Sequence, residues 1–183
     1  CARPSDTRTA ADDRSGLYGI LLEARKDAKD EPGARTVAAE WARFLEEEAA
    51  RARTPEARTV FDSHRLSVYM EMGEAARAIP MLEASERDFP KDYNPPARLA
   101  AAYKEMKRWD EALAAADRAL RLAYGPRMLR ILGTRAEILM ARGDRAEARA
   151  TRERALKMAE GMPPGQRSER TIAAVKKRLE ALP

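Results

Sequence analysis

The chain has 183 residues, of which 44% are hydrophobic, 36% charged and only 5% aromatic. It is long enough to bury a real core, and its alanine-rich, charge-dense balance is that of an all-helical protein. A lone cysteine excludes an internal disulfide, and no run approaches the ~18 consecutive apolar residues of a membrane-spanning helix. The net charge of +5 is uneven: residues 126–183 hold 14 Lys/Arg against 7 Asp/Glu, while residues 1–125 hold 21 against 23.

The first residue is that one cysteine, with Ala2 after it and a polar, aperiodic stretch, ARPSDTRTAADD, following. A processed bacterial lipoprotein begins in this way. The expectation is a lipid on Cys1 and a tether over residues 1–14, on the periplasmic side of the envelope, with Ala2 favouring the outer membrane. The alternative is an arbitrary start at this residue in a cytoplasmic protein.

Residues 15–53 read as an amphipathic helix pair, GLYGILLEARKDAKD and TVAAEWARFLEEEAARA, with Trp41, Phe44, Leu45 and Ala49 on one stripe. It serves as a degenerate repeat or an N-terminal cap. Thr54-Pro55-Glu56 then supplies an N-cap, a first-turn proline and an acid at the positive end of a helix. Asn94-Pro95 reads as a second cap of the same kind. Pro80 falls in the second turn of its expected helix, where it should remove a hydrogen bond and bend the axis.

Sliding the sequence against itself gives a register of 34 residues, then 36. Tyr69, Tyr103 and Leu139 fall together, as do Leu66, Ala100 and Ala136. Ala78, Ala112 and Ala148 align, followed by Ser85, Ala119 and Ala155; Gly73 and Gly143 share a turn in which the middle copy has Lys107. Each copy is a helix pair joined by a tight turn. In this spacing and these positions residues 54–162 resemble the tetratricopeptide repeat, with Pro90 as its helix-ending proline and Tyr124 and Glu160 in that place in the later copies. The junction after copy two is longer, with Gly125-Pro126 making the turn.

The resemblance implies an all-α, right-handed α-solenoid of about three repeats. Their small residues stand where helix A and helix B approach most closely, so a larger side chain at Ala112 would wedge the pair apart at a cost of ~1–3 kcal/mol. After the break MPPGQ, residues 163–183 carry a capping helix, SERTIAAVKKRLEAL, with Ile172, Val175, Leu179 and Leu182 on its apolar edge and Lys176, Lys177 and Arg178 on its polar side. That makes nine helices and no strand.

Nothing in the sequence assembles a catalytic centre: there is one histidine, no phosphate-binding glycine loop and no metal-ligand cluster, so neither a cofactor nor a metal is expected. His64 is flanked by Asp62 and Ser63, but neighbours on one helix diverge by about 100° and cannot converge on one centre. Helical repeats of this type bind proteins or peptides on the concave face formed by their A helices. Carrying that face across gives Ser63, His64, Ser67 and Met70 from copy one, Arg98 and Lys104 from copy two, and Arg130, Thr134 and Glu137 from copy three. The lysine and asparagine set with which some relatives clamp a peptide's terminal carboxylate is not reproduced, since copy one has serines there. The expected role is a non-enzymatic interaction scaffold. The alternatives are a chaperone or pilotin-like adaptor for client peptides, and binding of acidic surfaces or nucleic acid by the basic last third. Nucleic acid is disfavoured by the lack of interleaved aromatics.

Overall fold

The computed structural model describes residues 11–181, so Cys1, most of the expected tether and Leu182 lie outside the described residues. The helices are α1 (Ala11–Asp27), α2 (Glu31–Arg51), α3 (Pro55–Thr59), α4 (Asp62–Glu71), α5 (Ala78–Asp88), α6 (Asn94–Glu105), α7 (Trp109–Leu122), α8 (Arg127–Arg142), α9 (Arg145–Glu160) and α10 (Glu169–Glu180). A 3-10 turn, Ala75–Arg77, precedes α5, and there is no strand among the described residues. The chain divides into two compact units between Met81 and Leu82. In the first, α1 pairs with α2, and α2 packs on α3 and α4; in the second, α6–α7 and α8–α9 form hairpins, α7 and α6 lie against α8, and α10 against α9.

Four hairpin turns among the described residues share one geometry. Lys29, Gly73, Lys107 and Gly143 all sit at positive φ (55°, 71°, 58° and 101°). The next residue in each, Asp30, Glu74, Arg108 and Asp144, donates its N–H back to the carbonyl of Arg25, Tyr69, Tyr103 or Leu139 at 2.7–2.9 Å. This is the Schellman closure, which satisfies otherwise orphaned carbonyls at a helix end. The same residue then leads into the following helix. Asp30 is the clearest case, its carboxylate accepting from Gly33 N at 3.0 Å and from Arg25 at 2.7 Å. Those two bonds, the Gly33 N–H foremost, hold its pKa below the ordinary carboxylate value. A folded-state pKa below the unfolded one means that this cap contributes at neutral pH and is lost as the pH falls through the folded value.

Five residues beyond each positive-φ residue stands a buried alanine: Ala34, Ala78, Ala112 and Ala148. The aligned Ser85, Ala119 and Ala155, and Leu66, Ala100 and Ala136, are buried too. The small side chains therefore face inward, as the register requires. Arg135 of α8 ties the second unit together, donating to Asp117 of α7 at 2.8 Å and to Thr151 and Glu147 of α9 at 2.8 and 2.7 Å. Arg118 of α7 grips Glu86 of α5 through two bonds of 2.7 and 3.0 Å.

The N-terminal pair lacks the alanine register in sequence, yet it uses the same turn and the same inward alanine. What differs is one bulky position. Trp41 stands where the other hairpins carry Ser85, Ala119 and Ala155, and its indole lies against Gly19, whose added Cβ would sit 3.7 Å from the ring.

Five sequence expectations need correction. The first is that residues 11–14, placed in the tether, are already helical in α1. The second is the first A helix, which breaks into α3 and α4 and raises the described α-helices to ten. Thr54 caps α3 as expected, accepting from Ala57 N at 3.2 Å, but α3 buries no side chain, and at Phe61 the ladder tightens to a bond with Arg58. The third is Pro80, which does not interrupt a helix interior. The turn before it is 3-10 and α5 starts only at Ala78, so the proline falls in a first turn whose N–H groups lack helical partners anyway.

The fourth is Asn94, which does not cap α6. Pro95 and Pro96 remove the first N–H groups such a cap would serve, and the Ala97 N–H goes to Tyr93. Tyr93 holds the cap position without a side-chain bond, and Asp92 before it turns the chain into the helix, its Oδ1 accepting from Asn94 N at 2.9 Å and Asn94 Nδ2 at 2.8 Å. The fifth concerns α10, whose apolar edge is less covered than a cap implies: Ile172 is buried, while Val175 and Leu179 are only half-buried.

Lysine at φ 58° costs what glycine would not. Lys107→Gly should raise the urea midpoint, by about 1 kcal/mol of unfolding free energy, with the m-value unchanged. Unchanged or lowered stability would contradict the strain assigned to that turn.

Candidate functional site

In the second unit the A helices α6 and α8 neighbour each other. Arg130, Thr134 and Glu137 recur at helical spacing and so share a face of α8, while on α6 Lys104 shares its stripe with Ala97 and Ala101 and Arg98 stands about 120° round the helix from it. The structure joins the two faces: Lys104 Nζ donates to Glu137 Oε2 at 2.7 Å. Thr134 spends its hydroxyl on the Arg130 carbonyl at 3.3 Å. Neither Arg98 nor Arg130 has an ion-pair partner among the described residues. Between these polar groups stand Ala97, Ala101 and Gly133, small and half-buried, so the floor of the face is backbone and methyl groups.

The first unit carries Ser63, His64, Ser67 and Met70 on α4, and there the side chains of His64 and Ser67 are already engaged. Ser67 is exposed and bonds the Ser63 carbonyl at 3.0 Å. His64 Nδ1 lies 2.5 Å from the Oγ of Ser15 in α1, and Trp41 Nε1 donates to the same oxygen at 3.0 Å. An indole N–H can only donate, so the Ser15 hydroxyl accepts from Trp41, and with its hydrogen or its second lone pair the same oxygen bonds His64 Nδ1. The rings of Trp41 and His64 are 6.1 Å apart. The serine that meets His64 is thus Ser15, not Ser63, and Ser15 is completely buried. It belongs to the seam between helices, with no open side from which a substrate could reach it. Nearby, burial and the bond to Glu46 at 2.7 Å push the Tyr69 phenol above its ordinary pKa. Among the described residues no group of three His, Cys, Asp or Glu could hold a metal ion, and no helix is long and apolar enough to cross a membrane.

A groove of about 420 Å³ runs between α8 and α10. Leu129, Met162 and Val175 supply its apolar lining, and Arg130, Arg170 and Arg178 its charge. Arg178 reaches over α8, its Nη1 being 3.9 Å from where a Cβ on Gly133 would sit. Ser168 caps α10 by accepting from Thr171 N at 3.3 Å, and Lys176 pairs with Glu160 of α9 at 3.1 Å.

The sequence model of the tetratricopeptide repeat family matches residues 69–132. Over this segment the chain is similar to the tetratricopeptide repeat. Among solved structures, BtubC (BKLC) from P. vanneervenii is similar in fold, with a TM-score of 0.62 and 18% identity, over 92% of this chain and 73% of that one. No curated protein matches the sequence.

The matched segment ends inside α8, so it includes Arg98, Lys104 and Arg130, while Thr134 and Glu137 lie beyond the matched residues. The groove's Arg170 and Arg178 are not among the residues expected from the sequence, which makes 163–183 a cap and puts Arg178 on its solvent side with Lys176 and Lys177. The signal that points to them is the spacing of Arg170, Ala174 and Arg178, which puts both arginines on one helical stripe.

Ser15→Ala leaves the buried Trp41 N–H without an acceptor, so thermal or urea unfolding should show a loss of about 1–3 kcal/mol. A neutral result would mean that the Ser15–His64–Trp41 cluster adds nothing to the first unit.

Proposed function

We propose that the chain is a non-enzymatic docking scaffold that receives an extended or helical segment of a partner protein on the A-helix face of its second unit. The observation that carries this reading is the Lys104–Glu137 contact, which joins the faces of α6 and α8 while Arg98 and Arg130 stay without counter-charges. The small floor of Ala97, Ala101 and Gly133 leaves room for a ligand's backbone to approach. Tetratricopeptide repeats bind peptides on this face, and BtubC offers the same fold; both support the reading.

The test uses peptides selected by display against the full chain. Arg98→Glu should weaken the selected binders at least about tenfold, which is 1.4 kcal/mol, while Arg145→Glu on the outer helix α9 leaves them unchanged. Binders indifferent to Arg98, or equally sensitive to both, would defeat the reading.

A separate part of the proposal is attachment to a bacterial envelope through a lipid on Cys1, which lies outside the described residues. Metabolic labelling with an alkyne fatty acid, in cells expressing the native reading frame, should mark the protein and lose the mark in Cys1→Ser. A native protein without label in the cytosolic fraction would remove this part and leave the docking role standing.

A further inference from the structure

The groove between α8 and α10 differs in charge from three other clefts among the described residues, each of which mixes acids with bases. The cleft at α1, α2 and α4 holds Glu71 and Glu74, the outer one on α1 and α2 holds Glu40 and Glu47, and the one beside the start of α6 holds Asp88 and Asp92. The α8–α10 groove has three guanidiniums, those of Arg130, Arg170 and Arg178, and no carboxylate in its lining. None of the three has an ion-pair partner among the described residues, whereas Arg118, Arg135 and Arg142 of the same unit each bind at least one acid. Like charges gathered on a concave wall raise the local potential and draw anions.

The remaining lining decides which anion. Leu129, Met162 and Val175 are half-buried and aliphatic, so the groove offers an apolar floor beneath a cationic rim. A nucleic acid would need aromatic or planar platforms for its bases, and the lining contains no aromatic residue. A bilayer presents a broad surface that cannot fill a recess of about 420 Å³. A polypeptide can place a large aliphatic side chain on the floor and carboxylates against the rim, where arginine forks bind carboxylates in paired bonds.

We propose that this groove docks a partner segment in which acidic residues flank a large aliphatic one. The inference rests on the docking reading above and narrows it to an acidic partner seated at the α10 end of the second unit.

The probe is a fluorescein-labelled peptide of repeated Glu-Glu-Leu, compared by anisotropy on the full chain with its Lys-Lys-Leu counterpart and with an oligothymidine. The Glu peptide should bind and the Lys peptide should not. The triple variant Arg130→Gln, Arg170→Gln, Arg178→Gln should weaken the Glu peptide at least about tenfold. All three side chains are exposed, so the helical circular-dichroism spectrum should be unchanged. A control of equal charge loss on the outer face, Arg145→Gln, Arg149→Gln, Arg154→Gln, should keep full affinity. Equal loss in both triples would reduce the effect to net charge and overturn the site. Tighter, triple-sensitive binding of oligothymidine would overturn the choice of a protein partner. If the Glu peptide fails to bind while display-selected peptides still depend on Arg98, this inference falls alone; if that dependence also fails, the docking reading falls with it.

Discussion

The architecture depends on one backbone event repeated along the chain: a single residue held in the left-handed region, with the next N–H closing onto the carbonyl five residues back. That closure ends one helix and aims the next, and a buried alanine stands five residues beyond it in every hairpin that uses it. The alanine lets the two backbones approach, and the turn dictates where the approach occurs. Glycine suits the turn at Gly73 and Gly143; at Lys29 and Lys107 the fold holds a lysine there despite the steric cost.

Much of this was legible in the sequence because small residues keep a fixed register where helix backbones must come close at regular intervals. The alignment of Ala78, Ala112 and Ala148 carried the fold class, and all three are buried. The failures share a cause: each was a local rule overruled by a neighbour. Asn94 has the right chemistry for a cap, but the two prolines after it carry no N–H and the next donor, that of Ala97, is already bonded to Tyr93. Pro80 is a helix breaker only inside a helix, and a preceding 3-10 turn moves it to the start. The N-terminal pair hid its kinship because Trp41 replaced an alanine and was accommodated by Gly19 across the hairpin, an exchange of volume that position-by-position comparison cannot register.

The candidate site was legible in outline only. The sequence put Lys104 and Glu137 on successive A helices, and the structure adds that they meet. His64 was assigned to the binding face, and its partner, Ser15, lies 49 residues away in sequence and could not be inferred from neighbours. The arginines of α10 were missed for a related reason. A terminal helix with an apolar edge reads as a lid, and whether the edge beside it closes or stays open as a wall depends on how far it stands from α8, a distance the sequence does not encode locally.

That last wall is thinly held. Of the side chains on α10 only Ile172 is fully buried, and the helix is otherwise fastened by its Ser168 cap and the Lys176–Glu160 pair at its surface. Such a helix sits at the low end of local stability and frays before the hairpins beneath it, so its amides exchange with solvent first. Anything that bridges α8 and α10 occupies only the docked state, and by mass action it must slow that exchange in proportion to its own affinity. Occupancy of the groove and order at the end of the chain are therefore two readings of one equilibrium.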